Sequence, residues 1–291
     1  MKIITLMENI SKDENIRAEH GLSLYIETAN HTLLSDCGAS DVFIENAATL
    51  GVDLCKVDSV FLSHGHYDHS GGILPFVVIN PNATIYMQEK ALLPYYHKTS
   101  TEEGYIGIDP AIGELAQLNA VDGDAPIDEE LSLFTNVTGR KLWPKGNLEL
   151  KKKVGNDFLQ DEFDHEQYLV ITEKKELTTD NGCLNSSGKE FSTIRVLISG
   201  CAHNGILNIL EHYYNLYGAY PDAVISGFHM KQKSGYTDED IATIKKTATE
   251  LSELPTKFYT GHCTGEEPFE LMKEIMGEQL HYIYSGSILM L

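Results

Sequence analysis

Basic residues are scarce in this sequence. It contains 22 Lys and Arg residues against 43 Asp and Glu residues, and its formal net charge is −21 at pH 7. Nucleic-acid binding needs clustered Lys or Arg, and a strongly negative field repels a polyanion. The basic run from Lys151 to Lys153 has acidic neighbours, which is typical of a solvated face. We therefore expect no nucleic-acid partner, although a small anionic substrate is compatible if bound metal supplies local positive charge.

Long hydrophobic runs are absent as well. No apolar stretch reaches the ~20 residues of a membrane-spanning helix, and the first residues, MKIITLMENISKDE, lack the apolar core of a signal peptide. The cysteines are Cys37, Cys55, Cys183, Cys201 and Cys263. An odd number of cysteines without a C-x-x-C pair suits a reducing cytoplasm better than a disulfide framework. We expect a cytoplasmic protein without a membrane partner.

Two series of strands and helices follow one another along the chain. Alternating apolar and β-branched residues predict strands at 2–7, 22–28, 32–36, 57–63, 83–90, 131–137, 168–173, 193–200, 222–230, 256–262 and 279–291. Helical periodicity predicts helices at 41–51, 204–218, 237–254 and 267–277, with another helix possible after Gly71. This order indicates two sheets packed face to face with helices outside. Residues 95–164 show little periodicity, so we interpret them as an insertion within a single domain spanning residues 1–291.

The densest chemistry lies in the segment SHGHYDHSGG, residues 63–72. Three imidazoles and a carboxylate within six residues are costly to bury unless they bind something. His64 and His66 are two positions apart on an extended segment, so both can project to one side and share one ion. The turn that follows can direct Asp68 and His69 at a neighbouring ion. Imidazole and carboxylate are common ligands of zinc and non-haem iron. The alternative is a His-rich surface loop.

Three further histidines follow predicted strands. His203 lies in ISGCAHNGI, His229 in ISGFHM and His262 in YTGHCTG. Loops at strand ends often carry functional groups. Any one of these histidines alone is more often structural, but three of them beside a metal loop favour a functional interpretation.

These segments resemble the metallo-β-lactamase superfamily, whose hallmark is an H-x-H-x-D-H loop after a strand. The segments AEHGLSL, SHGHYDHSGG, SGCAHNGI, GFHM and TGHCTG together are similar to one subgroup. That subgroup is named for 7,8-dihydropterin-6-methyl-4-(β-D-ribofuranosyl)aminobenzene 5′-phosphate synthase. The resemblance covers nearly the whole chain. It implies the α/β metallo-β-lactamase fold, an αβ/βα four-layer sandwich of two facing mixed sheets with helices outside.

The resemblance also implies a role for each residue. The implied ligands of two divalent transition-metal ions are His64, His66, Asp68, His69, His203 and His262. In this assignment His203 binds the first metal and His262 the second, while Asp68 also orients the attacking water. Asp36, in LLSDCG, supports the metal loop, or is simply a turn residue at a strand end. His229 and His20 are candidates for substrate contact or proton transfer, with packing as the alternative. Zinc is expected, although these ligand types also suit iron or manganese.

Two features depart from the superfamily pattern. Many hydrolytic members write the third loop as G-H-T, whereas this chain has Gly200-Cys201-Ala202-His203. Many members carry a bridging Asp at the strand end where this chain has His229. Without that carboxylate the second metal could be weaker, absent or different in kind.

The expected function is that of a metal-dependent hydrolase or synthase. Its substrate would be a small phosphorylated or pterin-like molecule, attacked by metal-activated water or held through a metal-polarised phosphate. One alternative is an iron redox enzyme, although the di-iron members of the superfamily carry a flavin domain for which no length remains here. Another is a non-catalytic metal-binding or ligand-sensing module. A homo-oligomer is compatible with the sequence.

Overall fold

A computed structural model describes residues 1–176, 191–232 and 235–291, so Cys183 lies outside the described residues. The strands are β1 (Lys2–Met7), β2 (Ser23–Glu27), β3 (Thr32–Ser35), β4 (Ser59–Phe61), β5 (Thr84–Gln88), β6 (Tyr95–Lys98), β7 (Glu103–Tyr105), β8 (Leu118–Val121), β9 (Ala125–Pro126), β10 (Leu131–Phe134), β11 (Leu150–Val154), β12 (Asp157–Gln160), β13 (Tyr168–Glu176), β14 (Phe191–Ile198), β15 (Ala223–Ile225), β16 (Lys257–Thr260), β17 (Leu280–Tyr282) and β18 (Ile288–Met290). The α-helices are α1 (Val42–Thr49), α2 (Tyr67–Ser70), α3 (Ile73–Ile79), α4 (Ile206–Tyr217), α5 (Asp238–Ser252) and α6 (Glu266–Met276). None of these helices is long and apolar enough to cross a membrane.

Two mixed sheets form the centre of the molecule. The first has the order β18-β1-β2-β3-β4-β5-β8, and the second has the order β17-β16-β15-β14-β13-β10-β9. In the first sheet, β3, β4, β5 and β8 are parallel. In the second, β14 to β17 are parallel, whereas β13 and β10 run antiparallel to their neighbours. The predicted pair of mixed sheets is therefore confirmed.

The alternation of side chains along the strands divides the core into three apolar layers. Leu24 and Ile26 of β2 lie between the sheets, while Tyr25 faces the layer that contains α1 and α3. On β13, Leu169 lies between the sheets, whereas Val170 faces the layer that contains α4, α5 and α6. Successive side chains of a strand point to opposite faces, so each strand stabilises two layers. The result is the predicted four-layer sandwich with its helices outside.

Residues 95–164 contain more regular structure than their periodicity indicates. Strands β6, β7, β11 and β12 form a separate four-stranded sheet, while β8 joins the first central sheet and β9 and β10 join the second. Many of the side chains on these strands are half-exposed, which weakens the apolar pattern. The interpretation of this stretch as an insertion within one domain stays a prediction.

The predicted closing strand at 279–291 is wrong as a single element. It divides into β17, which joins the second sheet, and β18, which pairs with β1 in the first. Gly286, with φ +89°, lies in the turn between them. Because glycine adopts positive φ without a Cβ clash, the chain can leave one sheet and enter the other here.

Candidate metal centre

The fold brings the predicted site residues to one edge of both sheets. Asp36 and His64 follow the ends of β3 and β4 in the first sheet, while His203, His229 and His262 follow β14, β15 and β16 in the second. Each of these two sets of strands is parallel, so their carboxyl ends share an edge. Ligand sites commonly lie in this position in sheets with parallel strands.

His64, His66 and His203 form one cluster. Their ring centroids are 4.5 Å (His64 to His66), 4.9 Å (His64 to His203) and 5.0 Å (His66 to His203) apart. In all three rings Nε2 is buried and has no hydrogen-bond partner among the described residues. A buried polar atom without a partner costs about 1–3 kcal/mol, so three together point to a bound group.

The hydrogen bonds at Nδ1 explain why these Nε2 atoms can act as ligands. The hydroxyl of Ser63 donates to Asp36 Oδ2 at 2.8 Å. Nδ1 of His64 lies 2.8 Å from the Ser63 hydroxyl oxygen, so it must donate to that oxygen. Nδ1 of His203 lies 2.9 Å from the carbonyl oxygen Oδ1 of Asn147, which can only accept. With the proton on Nδ1, each Nε2 presents a lone pair.

Burial also keeps these imidazoles neutral. Loss of hydration lowers the pKa of His64 and of His203 well below the usual value, and lowers the pKa of His66 to about 3. Neutral imidazole is the form that binds a metal. The cluster therefore has both the geometry and the protonation state of a ligand set.

Asp68, His69 and His262 form a second cluster beside the first. His69 Nε2 lies 3.2 Å from His262 Nε2, which in turn lies 3.3 Å from Asp68 Oδ2. The exposed His20 places Nε2 3.2 Å from the same Asp68 oxygen and stacks on His262 with ring centroids 5.1 Å apart. The donor atoms of His20, Asp68 and His262 all lie within 4.8 Å of one another. These nitrogen and oxygen donors fit a divalent transition metal.

The charges within the second cluster are strongly coupled. Burial alone would raise the pKa of Asp68, but the neighbouring histidines, His69 first, hold it far below its usual range. Burial alone would lower the pKa of His69, but the Asp36 and Asp68 carboxylates raise it to about 9. The protein thus holds the Asp68 carboxylate next to the protonated ring of His69. A metal ion bound here would replace the proton on that ring.

Asp36 lies behind the metal loop. It accepts hydrogen bonds from the Ser63 amide at 2.7 Å and from the Ser63 hydroxyl, and its Oδ2 lies 2.7 Å from Nδ1 of His69. Its backbone has φ +60°, a conformation shared in this region by Ala202, His229 and His262. Such strained residues concentrate at functional sites, because the surrounding contacts must hold them in place.

Two asparagines that the sequence pattern did not indicate hold His203 and His262. Each asparagine makes the same two contacts with its histidine. Asn147 contacts Nδ1 of His203 and donates through Nδ2 to the His203 carbonyl at 2.7 Å. Asn9 contacts Nδ1 of His262 at 2.9 Å and donates to the His262 carbonyl at 3.1 Å. Each amide therefore fixes both the ring and the backbone of one histidine.

Buried carboxylates anchor the same two loops. Glu166 accepts hydrogen bonds from the amides of His203 at 2.7 Å and of Asn204 at 2.9 Å. Glu8 accepts hydrogen bonds from the amides of His262 and, at 2.7 Å, of Ile10. Glu8 directly follows β1, a strand-end position like those of the predicted histidines, so the same signal could have found it.

His165 and Asp161 support the backbone of the H-x-H segment. The amide of Gly65 donates to Nδ1 of His165 at 2.9 Å, and Nε2 of that ring lies 3.1 Å from Asp161 Oδ2. Both residues are fully buried. The ring of His165 also lies 5.6 Å from that of His66. Asp161 comes from the stretch interpreted as an insertion, and His165 directly follows that stretch, which thus contributes to the support of the site.

Comparisons with known proteins agree with this geometry. Residues 16–146 match the family model of the metallo-beta-lactamase superfamily. A solved structure described as a metal-dependent hydrolase of the beta-lactamase superfamily superimposes with a TM-score of 0.77 and 27% identity, covering 100% of this chain and 99% of that one. This chain has the metallo-β-lactamase fold.

Two curated relatives come from Methanocaldococcus jannaschii. One is named 7,8-dihydropterin-6-methyl-4-(beta-D-ribofuranosyl)-aminobenzene-5'-phosphate synthase; it is 25% identical over 310 aligned positions, covering 99% of this chain and 96% of the relative. The other is an uncharacterized protein, 28% identical over 222 residues, which is 73% of each chain.

His229 and Cys201 are the residues at which this metallo-β-lactamase-fold chain departs from the superfamily pattern. His229 is half-buried, with its ring 4.2 Å from that of His203, and its Nδ1 is buried without a partner in the described parts of the chain. Cys201 is buried, and its Sγ lies 3.3 Å from His69 Nε2. Both therefore lie at the candidate metal centre.

A cavity of about 360 Å³ extends outward from His229. It is lined mainly by apolar side chains, including Trp143, Leu148 and Phe228, with Lys145 at its polar side. Nε1 of Trp143 is buried and unpartnered within the described structure, and Lys145 Nζ lies 3.2 Å from Asp240 Oδ1. An apolar cavity with a few polar groups, of about 300–1,000 Å³, is typical of a small-molecule site.

Proposed function

We propose that this protein is a metal-dependent hydrolase or synthase that acts on a small phosphorylated or pterin-like molecule. The observation that carries the proposal is the set of three buried, unpartnered Nε2 atoms of His64, His66 and His203. These residues would hold the first metal, and Asp68, His69 and His262 would hold the second. Zinc suits this set, and iron and manganese are the alternatives for the test. When bound, such ions would supply Lewis acidity and lower the pKa of a coordinated water molecule to about 7.

The residues of the chain around this set supply binding and proton transfer. Asp68 Oδ2 faces His20 and His262, so it can orient a water molecule by accepting its hydrogen bond. His20 is exposed, and its contact with Asp68 offers a route for a proton between the site and solvent. His229 borders both the His203 ring and the cavity, where it can contact substrate.

The shape of the cavity supports a substrate with a flat, largely apolar part. Trp143 and Phe228 offer aromatic surface, while the unpartnered Trp143 N–H is a donor for one acceptor atom. The relative named as a dihydropterin-ribofuranosyl-aminobenzene-phosphate synthase supports a pterin-like or phosphorylated substrate. The similar structure described as a metal-dependent hydrolase supports hydrolysis.

Metal analysis followed by a substrate panel tests the proposal. Protein purified without added metal should contain about two transition-metal ions per chain, as expected for a two-metal site. The panel comprises a chromogenic phosphodiester, phosphomonoesters and dihydropterin derivatives, assayed with zinc-, iron- and manganese-loaded protein. His66→Ala should lose most metal and all turnover while keeping its circular dichroism spectrum.

His281→Ala is the matched control, because His281 lies on β17 and stacks on Tyr259 away from the clusters. This variant should keep both metal and activity. A wild-type protein that binds none of the three metals would contradict the proposal. Metal binding without turnover of any panel compound would favour the ligand-sensing alternative instead.

A further inference from the structure

Cys201 is the residue common to both metal clusters. Its Sγ, Nε2 of His69 and a ring nitrogen of His262 all lie within 4.8 Å of one another. The same sulfur forms an equally close group with His64 and His203. Sγ lies 3.3 Å from His69 Nε2, while Nε2 of His64 and of His203 are buried without partners among the described residues. The thiol therefore lies between the two sets of nitrogen donors and faces unpartnered atoms of one of them.

We propose that the thiolate of Cys201 is a metal ligand between the two half-sites, in the place of a bridging carboxylate. The inference rests on the proposed metal-dependent function and deepens it. The loop after β15, where many superfamily members carry that carboxylate, provides His229 here. Thiolate is a strong ligand for zinc, at a bond length of about 2.3 Å. On binding, the Cys201 S–H bond breaks, the sulfur lone pair bonds to the metal, and the proton leaves to solvent.

Cys263 provides the contrast within the same site. It is buried too, but its sulfur accepts a hydrogen bond from the His229 amide at 3.3 Å and lies 3.6 Å from the Cys201 carbonyl oxygen. Its sulfur thus has two backbone partners and, among the described residues, groups only with His229 and Cys201, whereas the Cys201 sulfur also groups with His64 and His203 and with His69 and His262. Cys263→Ser is therefore a matched control for Cys201→Ser, because both variants replace a buried sulfur by oxygen within the same site.

A sulfur donor also alters which metals the site prefers. Soft thiolate ligands favour zinc and disfavour manganese, which prefers carboxylate oxygen. Replacing Cys201 by Asp restores an oxygen donor at this position. The quantity to compare is the ratio of zinc affinity to manganese affinity. Because of ligand softness, we expect this ratio to be about 10-fold higher in the wild-type protein than in Cys201→Asp.

Cobalt(II) substitution tests the assignment without reference to activity. Cobalt-loaded wild type should show an intense near-ultraviolet sulfur-to-cobalt charge-transfer band. Cys201→Ser and Cys201→Asp should lose the band, and Cys263→Ser should keep it. X-ray absorption of the zinc-loaded wild type should independently show a sulfur neighbour at about 2.3 Å, which decides the matter if Cys201→Ser fails to fold.

The outcomes separate the two proposals. Cobalt bound by wild type without the band, and zinc without a sulfur neighbour, would overturn the role of Cys201 and leave the metal-dependent function intact. Loss of the band in Cys263→Ser but not in Cys201→Ser would assign the sulfur to Cys263 and overturn the inference. Failure of wild type to bind any metal would overturn both proposals.

Discussion

Asn147 contacts both the imidazole ring and the backbone carbonyl of His203. Oδ1 of Asn147 lies 2.9 Å from Nδ1 of His203, and its Nδ2 donates to the His203 carbonyl at 2.7 Å. The second hydrogen bond fixes which end of the amide faces the ring, so Nδ1 carries the proton and Nε2 remains available. Asn9 repeats this arrangement at His262. Partners of this kind set the orientation and basicity of metal-ligating histidines.

Asn147→Ala should therefore weaken metal binding without removing a ligand. Loss of such a partner typically costs about 10- to 100-fold in metal affinity, and competition with a chelator would measure that loss. The buried Nδ1 of His203 would then be unpartnered, so the metal-free protein should also unfold at a lower temperature. Asn80→Ala, which removes a buried amide that donates to the carbonyls of Leu54 and Val57, is the control and should keep its metal affinity. Equal affinity in Asn147→Ala would show that His203 needs no such support.

His165 should act through the backbone of Gly65. His165→Ala removes the acceptor of the Gly65 amide, so the spacing of His64 and His66 should relax and metal affinity should fall about 10- to 100-fold, as for other outer partners. In His165→Asn, the side-chain oxygen can occupy the position of Nδ1 and accept the same amide, which should recover part of the affinity. Equal losses in the two variants would mean that ring packing against Tyr95, at 4.0 Å between centroids, matters more than the hydrogen bond.

The metal-free protein should lose stability as the pH falls below 6.5. In the unfolded chain His64, His66 and His203 bind protons near pH 6.5, whereas burial keeps them neutral in the folded state, with the pKa of His66 lowered to about 3. The unfolded state then binds more protons, so stability falls with falling pH. His69 does not offset this loss, because its raised pKa contributes fully below pH 6.5 and is lost only as the pH rises through about 9.

Thermal unfolding of chelator-treated protein between pH 7 and pH 5 checks this expectation. Each ~1 kcal/mol lost should lower Tm by about 2–4 °C for a domain of this size class. His203→Asn, which lacks one of the three buried imidazoles, should show a shallower decline. A Tm that rises on acidification below pH 6.5 would contradict the assignment of neutral, buried histidines.

The parts of the site that could be predicted are those carried by local patterns. The candidate ligands His64, His66, Asp68 and His69 lie within six residues, and His203, His229 and His262 each follow a predictable strand. Apart from Asp36 and Glu8, which directly follow strands, the supporting groups could not be found in this way, because their partners are distant in sequence. Asn147 meets His203 across 56 positions, and His165 meets the amide of Gly65 across 100. A polar side chain away from a strand end has no signal of its own until the fold shows which group it faces.

Distant partners also explain the two places where the predicted fold was wrong or incomplete, residues 279–291 and residues 95–164. Alternation continues from β17 towards β18, so a single strand at 279–291 fits the local pattern although the chain changes sheet at Gly286. Within 95–164, half-exposed strands give little apolar contrast, although the connection that follows β12 contributes Asp161 and His165. In both places the partner strand, which the sequence does not reveal, decides the structure.

His229→Ala should keep its metal and its fold but lose activity. Nδ1 of His229 is buried without a partner in the described structure, and its ring stands between His203 and the cavity, where a substrate would meet it. General acid–base assistance is typically worth about 10²–10⁴-fold in rate, so kcat should fall by that range on whichever panel compound is turned over. Leu148→Ala, on the same cavity wall, should raise KM with little change in kcat, since it removes only apolar contact. Retained metal with undiminished turnover in His229→Ala would assign the residue to packing, and lost metal would make it a ligand.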